Sequence, residues 1–452
     1  MSRRITERVV AYRGHRAATA ELTWAQRYMY DVVVSLRGQH AHLNFVSRMP
    51  VPDGTGIEDA CTAIAALIAR HEVLRTGFRT DPDGVPRQRV HAEGTLAVPV
   101  LDVATDAEAD AVVSELHSAD GFDDPERPVA ARIETRDGAV TAVTLAVGHV
   151  AVDQGAMRLL ERDFAGLVAG GALGDAVEQP VDRARWEAGP DGRRRNEAAL
   201  RYAAEQLDGA APTLYRRPRT QPCEPRYWIG ELQSPAAGRS IRAVGRRLRV
   251  PLSAVVLGVF ARLIAHDNDL PATTMLVIAG NRVGPDAAEY PGQLAQFAPV
   301  TVPAEPTFAA SVRAAGRALA LAYRHGQYDP VAFDQLLGDI GRRRGGELDL
   351  TTTLNFHTGD PGAVPVRRTA PDGPPTETTF RWKAKLPVEN YKLYLDAGVD
   401  DALWLSLRID TAVITPEAAE AFLRRMESLV LELADDEAPV AAIAAPAAGA
   451  GT

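Results

Sequence analysis

Apolar positions along the chain switch between two periods. In GIEDACTAIAALIARHEVL, residues 56–74, Ile57, Ala60, Ile64, Leu67 and Ile68 recur at helical spacing. That pattern predicts an amphipathic helix, with Glu58 and Asp59 in its positive first turn. Residues 129–149 read as two strands joined at an Asp137-Gly138 hairpin turn. The second of these strands, VTAVTLAV, is apolar on both faces, which places it inside a sheet. A helix over 155–171 follows and ends at paired glycines. Residues 172–192 are weakly patterned and mark a connector.

The alternation then resumes. Residues 252–267 form a strongly apolar helix with Ser253 near its start, 275–281 a buried strand, and 307–326 an amphipathic helix. DLTTTLNFH, NYKLYLDA and LWLSLRID read as strands of one sheet. A last helix spans 415–435, with Thr415 as N-cap and Pro416 at its first position. The expected organisation is an α/β protein of two lobes, 1–175 and 176–436, with a low-complexity, disordered tail at 437–452.

Composition narrows the function classes. The chain has 452 residues, is 46% hydrophobic and 24% charged, and carries a net charge of −9. It has no basic stripe with interleaved aromatics, which argues against nucleic acid. Arg193-Arg194-Arg195 and Arg342-Arg343-Arg344 read as solvated surfaces. Two cysteines, Cys61 and Cys223, form no metal spacing and imply no disulfide framework, which fits a cytoplasmic setting. The N-terminus lacks the apolar core of a signal peptide, and no uninterrupted apolar run is long enough to span a membrane.

Candidate chemistry gathers in VTLAVGHVAVDQGAMRLL, residues 143–160. A buried strand ends at His149, and Asp153 and Gln154-Gly155 follow. A neutral imidazole at a strand end can remove a proton from an incoming nucleophile. A core histidine with satisfied hydrogen bonds explains His149 alone equally well, and helix capping explains Asp153. Nucleotide-binding GxGxxG, nucleophile-elbow GxSxG and phosphate-loop patterns are absent where they would be needed.

Two further stretches decide between these readings. RHEVLRTGF, 70–78, matches the pattern RHExLRTxF through Arg70, His71, Glu72, Leu74, Arg75, Thr76 and Phe78. LTWAQRYMY, 22–30, matches SxAQxRxW through Thr23, Ala25, Gln26 and Arg27. With GHVAVDQ in place of HHxxxDG, these resemble the condensation domains of nonribosomal peptide synthetases. The similarity continues through 277–303, 324–337 and 384–415, and so covers roughly residues 20–435.

The resemblance implies two chloramphenicol-acetyltransferase-like lobes in a V, a pseudo-dimer with a tunnel between them. It implies carrier proteins that deliver phosphopantetheine-bound acyl groups in trans, or coenzyme A in their place, to an amine or hydroxyl acceptor. No metal or tightly bound cofactor is expected, nor a nucleic-acid or membrane partner, and the chain is expected to act as a free-standing monomer. His149 maps to the catalytic histidine. Asp153 maps to the structural aspartate, held by an arginine of the second lobe, here Arg282. Asn355, Phe297 and Pro299 map to the tunnel. Gly148 stands for the first histidine, Gln154 for the final glycine, and Pro299 for an asparagine. Those departures leave three readings: a condensation-like acyltransferase, a non-catalytic module that recruits a partner enzyme or carrier, and an acyltransferase that takes its donor from coenzyme A.

Overall fold

A computed structural model describes residues 5–36, 43–118, 128–174, 178–215, 221–357 and 376–435. The expected tail at 437–452 lies outside the described residues. In chain order the strands and helices are β1 (Ile5–Arg13), β2 (Ala18–Glu21), α1 (Trp24–Ser35), β3 (Phe45–Pro50), α2 (Ile57–Arg70), β4 (Thr76–Thr80), β5 (Pro86–Val90), β6 (Glu93–Asp102), α3 (Asp106–Ser118), β7 (Val129–Arg136), β8 (Ala139–Val147), α4 (Gln154–Val168), α5 (Pro180–Ala188), α6 (Pro190–Asp208), β9 (Tyr227–Ser234), α7 (Pro235–Leu248), α8 (Leu252–Asp267), β10 (Ala272–Ala279), α9 (Pro285–Ala288), β11 (Gln296–Pro303), α10 (Phe308–Arg324), α11 (Pro330–Arg344), β12 (Thr352–His357), β13 (Thr379–Leu386), β14 (Leu393–Val399), β15 (Leu403–Asp410) and α12 (Pro416–Asp435).

The chain divides into two compact units. The first comprises residues 1–197, 280–296 and 327–330; the second comprises 198–279, 297–326 and 331–452. This corrects the expected boundary at 175. Residues 180–192 are helical, not a loose connector: Pro180 starts α5, Pro190 starts α6, and the division falls inside α6. Val181 and Ala184 are buried on α5, so the segment belongs to a core. The stretch 280–296 also leaves the run of the second unit and packs with the first.

The first unit holds a five-stranded sheet in the order β1-β6-β7-β8-β3 and a three-stranded sheet in the order β2-β5-β4. The β7–β8 hairpin turns at Asp137 (φ 52°) and Gly138 (φ 83°), the two left-handed residues a tight hairpin needs. The apolar stripe of α2, with Ile64, Leu67 and Ile68 buried, packs against β1 and α4. That accounts for the helical spacing in the sequence, although α2 stops at Arg70 and residues 72–75 form a 3₁₀ turn.

The two matched motifs turn out to build this unit. Thr23 and Gln26 form a capping box at the start of α1: Gln26 N–H donates to Thr23 Oγ1 at 3.2 Å, and Thr23 N–H donates to Gln26 Oε1 at 2.9 Å. Glu72 is buried and accepts two hydrogen bonds from Arg16, at 2.6 and 3.0 Å. Buried Arg75 donates to the carbonyls of Arg16 and His91. His71 pairs with Asp163 of α4 at 2.9 Å.

The second unit is one seven-stranded sheet, ordered β11-β10-β12-β14-β15-β9-β13, with its helices packed on the apolar face through Leu232, Leu354, Leu395, Leu405 and Ile409. β12 runs parallel to β10 and β14, and β14–β15–β9–β13 run antiparallel. The three strands read from the sequence as one sheet, β12, β14 and β15, are adjacent in it. The arginines at 342–344 are exposed, as expected, and Arg344 also donates to the carbonyls of Leu207, Asp208 and Ala210 at the end of α6. Among the described residues no single helix is long and apolar enough to cross a membrane.

Candidate active site

β8 runs between β7 and the edge strand β3 of the five-stranded sheet and ends at Val147. A turn then closes with Ala151 N–H donating to Gly148 O at 2.9 Å. His149 sits on this turn, half-buried, with the Phe45 ring edge-on at 4.8 Å between centroids. Its Nδ1 lies 3.0 Å from the Val152 carbonyl. A carbonyl can only accept, so in the neutral ring Nδ1 carries the proton and Nε2 keeps a free lone pair. Desolvation lowers the imidazole pKa below its ordinary value, against the raising pull of the backbone bonds and Asp153. The ring is therefore neutral near pH 7, and its Nε2 can act as a base.

Asp153 is a cap and an ion-pair partner at once. As N-cap of α4 its Oδ1 accepts from Ala156 N–H at 2.8 Å. The same oxygen accepts from Arg282 Nη2 at 2.6 Å and Nε at 3.2 Å. Oδ2 accepts the backbone N–H groups of Leu294 (2.9 Å) and Ala295 (3.1 Å). A buried carboxylate is tolerable only with such full hydrogen bonding. Arg282 is equally committed, donating to the carbonyls of Tyr290 (2.7 Å), Gly292 (2.8 Å) and Ala287 (3.1 Å). Gln293 N–H donates to Ala151 O at 3.1 Å. The 280–296 segment thus grips the His149 turn at Ala151 and Asp153.

The pairing of Asp153 with Arg282 expected from the resemblance is present, but Arg282 belongs to a segment that packs as part of the first unit, so it is not a second-lobe residue here. Gly155 is essential to the arrangement: a methyl group there would overlap the Arg282 guanidinium. Gln154 occupies the first position of α4, half-buried. A bidentate pair from Arg162 to Glu289, both bonds 2.6 Å, ties α4 to the same segment. Arg162 also donates to Asp163, whose pKa is pushed up by burial but held down overall by hydrogen bonds from His71 and Arg162.

The three remaining candidates lie in the second unit. Asn355 donates to Asp396 Oδ1 at 3.0 Å, its direct neighbour in the β12–β14 register, and His357 contacts the same oxygen at 3.0 Å. Phe297 is buried and stacks on Tyr391. Pro299 lies in β11, at the sheet's edge, where a residue without an N–H is tolerated, and its carbonyl accepts from Tyr202 at 3.0 Å. Sequence reasoning missed the Leu294 and Ala295 amides and Phe45, and it named Gly155 without its role beside Arg282. Backbone donors carry no residue-type signal, and Phe45 is recognisable only through its cross-strand pairing with Val147.

Beneath the 280–296 segment lies a second buried group. Glu187, 4% exposed, accepts from Trp24 N–H at 2.8 Å. Burial raises its pKa from 4.5 to about 8. A carboxyl with a raised folded pKa contributes its full stability below the unfolded value and loses it as pH rises through the folded one. Glu187→Gln keeps an acceptor for Trp24. The variant is expected to match the wild type near pH 4.5 and to exceed it at pH 8 by on the order of a few kcal/mol, since each tenfold in proton affinity is worth ~1.4 kcal/mol. Urea melts at the two pH values measure this; equal curves at both would show the carboxyl to be ionised throughout.

The fold and the imidazole on its strand-end turn define the class: an α/β protein with the chloramphenicol acetyltransferase-like fold. The chain belongs to the condensation domain family, which matches residues 17–439. Among relatives, tyrocidine synthase 2 of Brevibacillus parabrevis is 25% identical over 298 residues, 62% of this chain and 8% of that protein. N-(5-amino-5-carboxypentanoyl)-L-cysteinyl-D-valine synthase of Amycolatopsis lactamdurans is 27% identical over 334 residues, 70% of this chain and 9% of that one. The chain thus spans less than a tenth of the length of these curated relatives. Among solved structures, the condensation domain of the monacolin K polyketide synthase MokA superposes with a TM-score of 0.73 at 17% identity, covering 93% of this chain and 98% of that one. The starter condensation domain of rhizomide synthetase, in complex with C8-CoA, gives a TM-score of 0.69 at 16% identity, covering 94% and 97%.

Proposed function

We propose that this chain is an acyltransferase that joins a thioester-bound acyl group to an amine or hydroxyl acceptor in the biosynthesis of peptide natural products. The observation that carries the reading is His149: neutral, with Nδ1–H committed to Val152 and Nε2 free, on a turn locked by Asp153. Nε2 takes the proton as the acceptor atom attacks the thioester carbonyl carbon. A carbon–nitrogen or carbon–oxygen bond forms, the carbon–sulfur bond breaks, and the proton passes to the departing sulfur. No other co-reactant is needed.

The donor arrives on the phosphopantetheine arm of a carrier protein, supplied in trans to a monomeric, cytoplasmic enzyme. Family membership supports a carrier-borne donor. A relative in fold holds C8-CoA, so coenzyme A is the donor to test against it. The sequence departures that raised a docking role are offset at the site, because Gly155 supplies the bare backbone that Arg282 needs. The test incubates the protein with a carrier loaded as an acyl thioester, or the same acyl group on coenzyme A, and with amine and alcohol acceptors. Intact-mass analysis is expected to show acyl loss from the carrier and an amide or ester product. A preference for acyl-CoA would reassign the donor, and no acyl loss from either across a panel of acyl groups would leave the docking role.

A further inference from the structure

α4 leaves the His149 turn and packs along β3, the outer strand of the five-stranded sheet. β3 turns Val46 to the apolar cluster of α3, and Phe45, Ser47 and Met49 to the opposite face, where α4 lies. On α4, Ala156, Met157, Leu159 and Leu160 are buried, whereas Gln154, Arg158 and Glu161, at i, i+4 and i+7, share a half-buried face. Ser47 Oγ donates to Glu161 Oε1 at 2.6 Å. Phe45, two residues back on the same face of β3, meets the His149 imidazole with its ring. His149, Phe45, Ser47 and Glu161 all keep part of their surface open to solvent, so imidazole and carboxylate lie at the two ends of one accessible strip. Two residues of strand span ~7 Å and seven residues of helix ~10 Å, which sets the length of that strip.

The carboxylate is also short of partners. Among the described residues its hydrogen bond comes from the neutral Ser47 hydroxyl. Burial raises its pKa above the ordinary carboxylate value, against the lowering pull of that bond and of the Arg158 charge. Asp153 and Glu72, buried acids of the same unit, are met by guanidinium groups within hydrogen-bond distance. A half-buried carboxylate without such a partner is under-solvated, and a cation brought beside it is bound in exchange.

We propose that Glu161 and Ser47 form a subsite for an ammonium group at the far end of a substrate, whose carbon chain lies over the Phe45 ring and whose reacting end lies at His149. The assignment rests on the acyl-transfer reading of His149. Glu161 touches the substrate away from the bond that forms, so it selects among substrates while Nε2 handles the proton. The ammonium belongs either to the acceptor, as in a diamine, or to the acyl chain of the donor, as in an ω-aminoacyl thioester; the chemistry that recognises it is the same.

The test uses two pairs matched in length. Cadaverine is set against pentylamine as acceptor, with hexanoyl-pantetheine as donor. ω-Aminohexanoyl-pantetheine is set against hexanoyl-pantetheine as donor, with pentylamine as acceptor. The wild type is expected to favour the charged member of one pair by ~10–100-fold in kcat/KM, the worth of a hydrogen bond between charged groups, and the pair that shows it names the source. Glu161→Gln keeps an acceptor for Ser47 and removes the charge. It is expected to bring the two members within a few-fold of each other, through a higher KM for the charged one. A carboxylate that only ties α4 to β3 gives a different signature: Glu161→Gln changes both members alike and leaves their ratio intact. That result, or a wild type without preference in either pair, overturns the subsite. If neither thioester is turned over, calorimetric binding of the same four compounds reads the same ratios. A charged-member preference that is lost in Glu161→Gln then keeps the subsite and overturns the acyl-transfer reading; equal binding of both members overturns the two together.

Discussion

Replacing His149 with alanine is expected to lower turnover by ~10²–10⁴-fold, the usual worth of a positioned general base. The fold should survive. Among the described residues the imidazole bonds the Val152 carbonyl and meets the Phe45 ring. Its melting temperature should change little beside that of any variant at Asp153. The pH profile adds a second reading of the same residue. A base must be neutral to accept a proton, and burial has lowered its pKa below 6.5. The acid limb of kcat/KM is expected to half-rise below pH 6.5 and to be level through neutrality, and His149→Ala should erase that limb. A limb centred above pH 6.5 would mean that the ring is not desolvated and that the turn opens in solution. The sign for stability follows from the same shift. A base with a lowered folded pKa contributes fully above its unfolded value, and that contribution declines as pH falls below it. Buried His71 is shifted in the same direction, mainly by desolvation, and adds to the acid sensitivity.

The distribution of what was legible has a physical basis. Period-two and period-3.6 patterns report burial, so the β7–β8 hairpin, α2 and α8 could be read directly from residue types. The candidate site was legible where it rests on a particular side chain: His149 is an ionisable ring at the end of an apolar strand, and Asp153 and Arg282 are a charge pair. It was not legible where the backbone does the work. Leu294 and Ala295 hold Asp153 through N–H groups that every residue but proline carries. The helices at 180–192 were hidden because Pro180, Gly189, Pro190 and Gly192 resemble punctuation; in the fold two of them start helices and Gly189 lies between.

Breaking the grip on Asp153 is expected to produce the largest stability loss in the molecule. Asp153→Ala strips an acceptor from Ala156, Leu294, Ala295 and both bonding nitrogens of Arg282, and leaves Arg282 uncompensated. Removing one partner of a buried pair typically costs ~3–5 kcal/mol. The melting temperature should fall by on the order of 10 °C, at ~2–4 °C per kcal/mol for a domain of this size. Activity should fall too, since the turn that orients His149 loses its anchor. Arg282→Lys separates charge from geometry. It keeps a cation near Asp153 but cannot reproduce the two-nitrogen approach together with three carbonyl bonds, so the loss should be nearly as great. Gly155→Ala is the sharpest of the three. It leaves every partner chemically intact and adds one methyl where the guanidinium lies. If the ion pair is what seats the 280–296 segment on the His149 turn, this variant should behave like Arg282→Ala: lowered stability, lowered turnover, and increased amide exchange at Leu294 and Ala295. Were Gly155→Ala as active and as stable as the wild type, the guanidinium would have to leave Asp153 without consequence, and the segment's hold on the catalytic turn would lie elsewhere.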